Sequence, residues 1–153
     1  MSDSSAGLNR LIADGIVLYQ KLRHYHWHVE GSEFFRLHEK FEELYRHLND
    51  EVDAWAERLL IVGGEPIHTL RRALDETGIQ EDESLPAARA MVEAIVADFE
   101  SMLKAAGKVI ADAEDVGDRG TANLLDDSRD WLEKEVWMLR AWLKETEKPA
   151  WIG

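Results

Sequence analysis

Residues 33–62 read EFFRLHEKFEELYRHLNDEVDAWAERLLIV. Leu37, Phe41, Leu44, Leu48, Val52, Trp55 and Leu59 recur at spacings of four and three. That is the period of one buried helix face. Gly63, Gly64 and Pro66 follow, glycine just past the end and proline beyond it. Ser32 stands as the expected N-cap.

Three further stretches repeat the pattern. Residues 6–29 place Leu8, Leu11, Ile12, Ile16, Tyr19, Leu22, His26 and Val29 on one face. Residues 86–116 use Met91, Ile95, Phe99, Met102, Ala106, Val109 and Ala113, with Pro86 suited to a first turn. Residues 121–146 use Leu124, Leu125, Ser128, Leu132, Val136, Leu139 and Leu143. Residues 69–76 are long enough for two helical turns, and residues 80–84 read as an acidic loop. No stretch alternates with the period of a strand. The expected fold is all-α: a four-helix bundle of ferritin-like connectivity, with a short helix in the long connection between helices two and three. The 153 residues suit a single domain. Residues 1–6 and 147–153 are expected to be short irregular ends.

Composition narrows the chemistry. There are no cysteines, which removes disulfides, zinc–thiolate sites and thiol catalysis. A metal would have to be held by His, Asp and Glu, a set suited to iron, manganese or zinc. The formal net charge of −13 attracts cations and repels a nucleic-acid backbone. The first seven residues, MSDSSAG, have neither a basic region nor an apolar run, so a cytoplasmic protein with no membrane association is expected.

Five of the six histidines lie between His24 and His47. On the second helix, His38 and Glu42 are four apart, as are Asp53 and Glu57. Each pair lies on one face one turn apart, within reach of one ion. With His38 at zero, Glu42 falls near roughly 40°, Asp53 near 60°, Glu57 near 100° and the apolar stripe near −80°. The four therefore form a second face, away from the core. Such pairs also arise by chance as solvated charge on an acidic helix, and His26, in line with Leu22 and Val29, also suits a satisfied core histidine. Fifteen positions separate His38 from Asp53, about 22 Å of straight helix, whereas a ligand lies about 2 Å from its metal. The two pairs cannot meet within one chain. They can meet across a two-fold axis that lays two copies of this helix antiparallel, creating two equivalent sites.

His26-Trp27-His28-Val29-Glu30-Gly31, Phe34-Phe35, Leu37-His38, Phe41-Glu42, Leu44-Tyr45, Val52-Asp53, Ala56-Glu57-Arg58, Gly63-Gly64 and Pro66, in that order, closely resemble the Dps family. These are the miniferritins named for DNA protection during starvation. Ser128-Arg129-Asp130 and Trp137 extend the likeness more weakly into the last helix. The resemblance implies a homo-oligomer, a dodecameric hollow shell. Its subunits would oxidise Fe²⁺ with hydrogen peroxide, or less readily oxygen, and store the ferric mineral, protecting against oxidative damage. It implies a ferroxidase site, a di-iron centre, on His26, His38, Glu42, Asp53 and Glu57, the last two from the two-fold neighbour. Two positions depart from the family: His28 replaces the usual Asn, and Glu42 the usual Asp. Glu42 keeps a hard oxygen ligand with one more methylene of reach. His24 and His28 are read as groups around the site. Trp27 is read either as a sink for stray oxidising equivalents or as a packing aromatic at an interface. The resemblance also implies a three-fold pore at Asp118, Asn123 and Asp127, the amide of Asn123 breaking one acidic ring.

Three rivals differ in class. A di-iron site inside each bundle needs Glu-x-x-His on two helices, and the third and fourth helical segments contain no histidine. A DNA-compacting stress protein with minor iron chemistry is the alternative function. Family members that bind DNA often use a lysine-rich N-terminal extension, but residues 1–9 hold no Lys or Arg and the C-terminal tail has only Lys148. A helical assembly protein with a decayed site is disfavoured by metal-competent side chains at all five ligand positions.

Overall fold

The computed structural model describes residues 3–144. It contains α1 (Asp3–His28), α2 (Phe34–Ile61), α3 (Leu70–Glu76), α4 (Ala88–Asp115) and α5 (Arg119–Leu143), and no strand among the described residues. None of these helices is long and apolar enough to cross a membrane.

Much of the core comes from the apolar faces read above, although Ile16, Tyr19, Val52, Leu124 and Leu143 are only partly buried and Leu18, Tyr25, Val92 and Ile110 join it. Leu11, Leu22, Phe41, Leu48, Trp55, Ile95, Phe99, Leu125 and Leu132 are all buried. The ends of the helices differ from expectation in three places. Ser32 does not cap α2: the amide of Phe34 bonds the carbonyl of Gly31, so Ser32 and Glu33 form a turn, and the Glu33 side chain instead accepts from Trp142 Nε1 at 3.2 Å. Gly31 permits that turn with φ 98°. Pro86 is not in the first turn of α4, because Ala87 is still extended (ψ 155°) and serves as N-cap. Residues 3–6 are helical rather than irregular, and Ser4 and Ser5 are buried. The expected tail at 147–153 lies outside the described residues. At the far end of α2, Gly63 at φ 88° lets the amides of Gly63 and Gly64 satisfy the carbonyls of Leu60 and Leu59.

Side-chain contacts fix the helix directions. The turn at 29–33 makes α1 and α2 antiparallel. Arg58 near the end of α2 meets Asp118 at the start of α5, while Glu33 before α2 meets Trp142 near the end of α5, so these two are also antiparallel. Lys21 pairs with Asp98 and Gly7 abuts Val109, so α1 and α4 run oppositely. It follows that α2 and α4 are parallel, and the chain between them must travel the length of the bundle.

Helix α1 guides that crossing. Asn9 bonds Glu65 O and the amide of Ile67. Asp14 accepts from Thr77 and the amide of Gly78, Lys21 donates to Gln80 O, and Tyr25 donates to Asp82. Both sets of numbers rise together, so the connection runs parallel to α1, and every rung satisfies polar groups that irregular backbone would otherwise leave bare.

Candidate metal centre

His26 lies in the last turn of α1 and His38 in the second turn of α2, brought face to face by the tight turn between them. Their rings stack at 3.8 Å between centroids and 13° between planes. The Nδ1 of His26 is 2.6 Å from the carbonyl oxygen of His38, and the Nδ1 of His38 is 2.7 Å from that of His26. A carbonyl only accepts, so both Nδ1 atoms carry protons. Both Nε2 atoms are left with free lone pairs, the state a metal requires.

Glu42, one turn beyond His38, brings Oε1 to 3.9 Å from His26 Nε2. The Tyr45 hydroxyl donates to the same oxygen at 3.4 Å, and Arg46 Nη2 lies 3.6 Å from it. Burial, and then the charge of Glu42, push the Tyr45 hydroxyl above its ordinary value, so it stays a donor at neutral pH. Tyr45 also presents its ring edge-on to His26. Tyr45 and Arg46 were not read as functional from sequence, although their offsets of three and four from Glu42 put them on its face.

Asp53 and Glu57 lie farther along α2, exposed. The hydrogen bond to Asp53, and then its charge, push the Glu57 carboxyl above its ordinary value, as two carboxylates sharing one small space must. Because α2 is one continuous helix, this pair remains apart from the His26–His38–Glu42 group. Among the described residues, no three His, Asp or Glu side chains converge on one point.

The other expected positions are dispersed. Trp27 is exposed, with the Arg23 guanidinium 4.8 Å above its ring. Asp118 caps α5 through the Thr121 amide at 3.1 Å and holds Arg58 at 2.7 Å. Burial alone would raise its pKa, but bonds from Thr121 and Arg58 outweigh that and hold its carboxyl below the ordinary range. Asn123 and Asp127 are exposed. His24 and His28 form a pair of their own against Ser84.

A ferritin-like domain family matches residues 5–148. The chain is 46% identical over 140 residues to a DNA protection during starvation protein of Brevibacillus brevis, spanning 90% of this chain and 92% of that one. This chain belongs to the Dps family. The fold agrees closely: a crystal structure of Dps from Staphylococcus aureus superposes with a TM-score of 0.92 at 35% identity, covering 95% of this chain and 99% of the other. A Dps protein from Vibrio cholerae, described as a member of a broad superfamily of ferritin-like diiron-carboxylate proteins, gives a TM-score of 0.90 at 38% identity over 92% of this chain and 89% of its own. The ferritin-like bundle and its short extra helix are thus those of the Dps family.

Proposed function

We propose that this chain is the subunit of a hollow, dodecameric, cytoplasmic ferroxidase shell that oxidises Fe²⁺ and stores the ferric product. The observation that carries the reading is the split donor set: His26, His38 and Glu42 at one end of α2, Asp53 and Glu57 about four turns away. Neither half offers enough ligands alone. Apposed across a two-fold axis, the halves supply two imidazoles and three carboxylates, a donor set suited to iron and able to hold two ions. Exposed Trp27, Phe35, Leu60, Ile61, Leu70 and Leu74 favour coverage by another copy.

The chemistry follows from the donors. Carboxylates stabilise Fe³⁺ over Fe²⁺. Two ferrous ions held together deliver two electrons to one hydrogen peroxide, whose O–O bond breaks; with two protons it leaves as two waters, and no hydroxyl radical is released. Oxygen is the slower oxidant. Iron enters through the three-fold pore, where Asp127 is the free carboxylate and Asp118 is already committed to Arg58.

An anaerobic Fe²⁺ titration of the assembled protein followed by stopped-flow mixing with peroxide tests the reading. Saturable ferrous binding at a fixed number of ions per subunit, and fast oxidation abolished by His38→Ala, are expected. Oxidation at the rate of buffer alone would refute it.

A further inference from the structure

His24 and His28 lie one turn apart at the end of α1. They are rotated about 200° from His26 and take no part in its stacked pair. His24 Nε2 is 2.8 Å from the carbonyl oxygen of Ser84, so Nε2 carries the proton and Nδ1 keeps its lone pair. That lone pair faces His28 Nδ1 at 2.7 Å. His28 Nδ1 is also 2.9 Å from the carbonyl oxygen of His24, so a single proton on it serves both neighbours. Two imidazole nitrogens this close need a shared proton or a shared cation. The carbonyl that orients His24 is itself anchored: Asp82 accepts from the Ser84 amide at 2.8 Å and from the Tyr25 hydroxyl at 2.6 Å. A backbone carbonyl fixing the tautomer of one imidazole, with its other nitrogen aimed at a second donor, is how proteins prepare a histidine for a metal.

We propose that His24 and His28 form a Cu²⁺ site, with both Nδ1 atoms as ligands and water completing the coordination. Metal binding without a change in this spacing would favour a tetragonal ion. Bonds of about 2.0–2.1 Å to nitrogens 2.7 Å apart subtend about 80–85° at the metal. That is close to the right angle between neighbouring ligands of a tetragonal ion. A tetrahedral ion such as Zn²⁺ would need the nitrogens about 3.3 Å apart. Among divalent ions that accept tetragonal nitrogen ligation, Cu²⁺ binds most tightly. His28 is exposed and borders a cleft of about 490 Å³ with Glu30, Leu85 and Pro86, which gives coordinated water its place. On binding, the proton on His28 Nδ1 moves to Nε2 of the same ring. Both imidazoles stay neutral, and no redox step is involved.

The test uses the assembled, chelator-treated protein titrated with Cu²⁺ and followed by electron paramagnetic resonance and calorimetry. A tetragonal signal split by two imidazole nitrogens is expected, and it should survive in His26→Ala/His38→Ala. His24→Gln or His28→Gln should weaken it by at least about tenfold, the lower end for losing a group that orients a metal ligand. His28 is exposed and Gln suits a helix, so size exclusion is expected to find an intact His28→Gln shell. Unchanged copper binding in that shell would overturn the proposal. So would a wild-type signal that disappears in His26→Ala/His38→Ala.

Discussion

At the residue scale, the departure at Glu42 is accommodated by two neighbours. A glutamate has more rotamer freedom than the aspartate usual in the family, and Tyr45 and Arg46 both reach its Oε1. In the proposed site, a carboxylate held beforehand would lose less entropy on binding iron. Tyr45→Phe keeps the ring against His26 and removes the donor. Loss of one hydrogen bond to a charged group costs about 1.5–3 kcal/mol at most, and the 3.4 Å length places this one at the low end. Anaerobic calorimetry should therefore show ferrous affinity reduced by about tenfold, with the helical fold intact. Equal affinity in the variant would mean that Tyr45 serves packing alone.

At the element scale, the polar residues of α1 hold the crossover in place, and Asp82 makes that hold pH-dependent. Its carboxylate accepts from Ser84 and then from Tyr25, and these bonds lower its pKa to about 2, beneath the ordinary value of about 3.9. A folded value below the unfolded one means that the native chain resists protonation. The contribution is complete above about pH 4 and is lost as pH falls towards 2. Asp82→Asn should lower the melting temperature at neutral pH and have progressively less effect below pH 4. A constant difference across that range, read by scanning fluorimetry, would show that the carboxylate's charge is irrelevant. The helical segments themselves were legible in sequence, because α2's apolar repeat is a local property of the chain. The ends were less so: Ser32 has the right chemistry for a cap, but the Gly31 turn places it inside the loop.

At the scale of the whole molecule, the proposed site would need two copies to act together, each supplying one half of the donor set. His38→Ala and Asp53→Ala should each be inactive in ferrous oxidation. Co-assembled, they should regain part of the activity, since a mixed two-fold pair contains one complete site. No recovery in mixed shells shown by mass spectrometry to contain both chains would contradict a shared site. Iron entry is a separate property. If iron enters by the proposed three-fold pore, Asp127→Asn should slow uptake at low ionic strength, less so as salt screens the acidic ring, and leave equilibrium ferrous binding near normal. Identical uptake at every salt concentration would direct the search to another route. The net charge of −13 opposes a phosphate backbone, so plasmid in chelator-treated buffer should migrate as free DNA beside the assembled protein. A robust shift would restore the DNA-compacting alternative.

The sequence by itself determined the period of each long helix, the second polar face of α2 and the separation of His38 from Asp53. These depend on helix geometry, which neighbouring residues dictate and distant ones do not alter. Tertiary structure alone decided which nitrogens of His24, His26 and His38 meet a carbonyl, because those carbonyls belong to residues brought near by packing: Ser84 for His24, His38 for His26 and His26 for His38. It also decided that Asp118 is bound to Arg58, sixty positions away in the chain. A hydrogen bond between distant residues has no signature in local periodicity. It exists only once the buried faces of α1, α2, α4 and α5 have packed and set the distances between their polar ones.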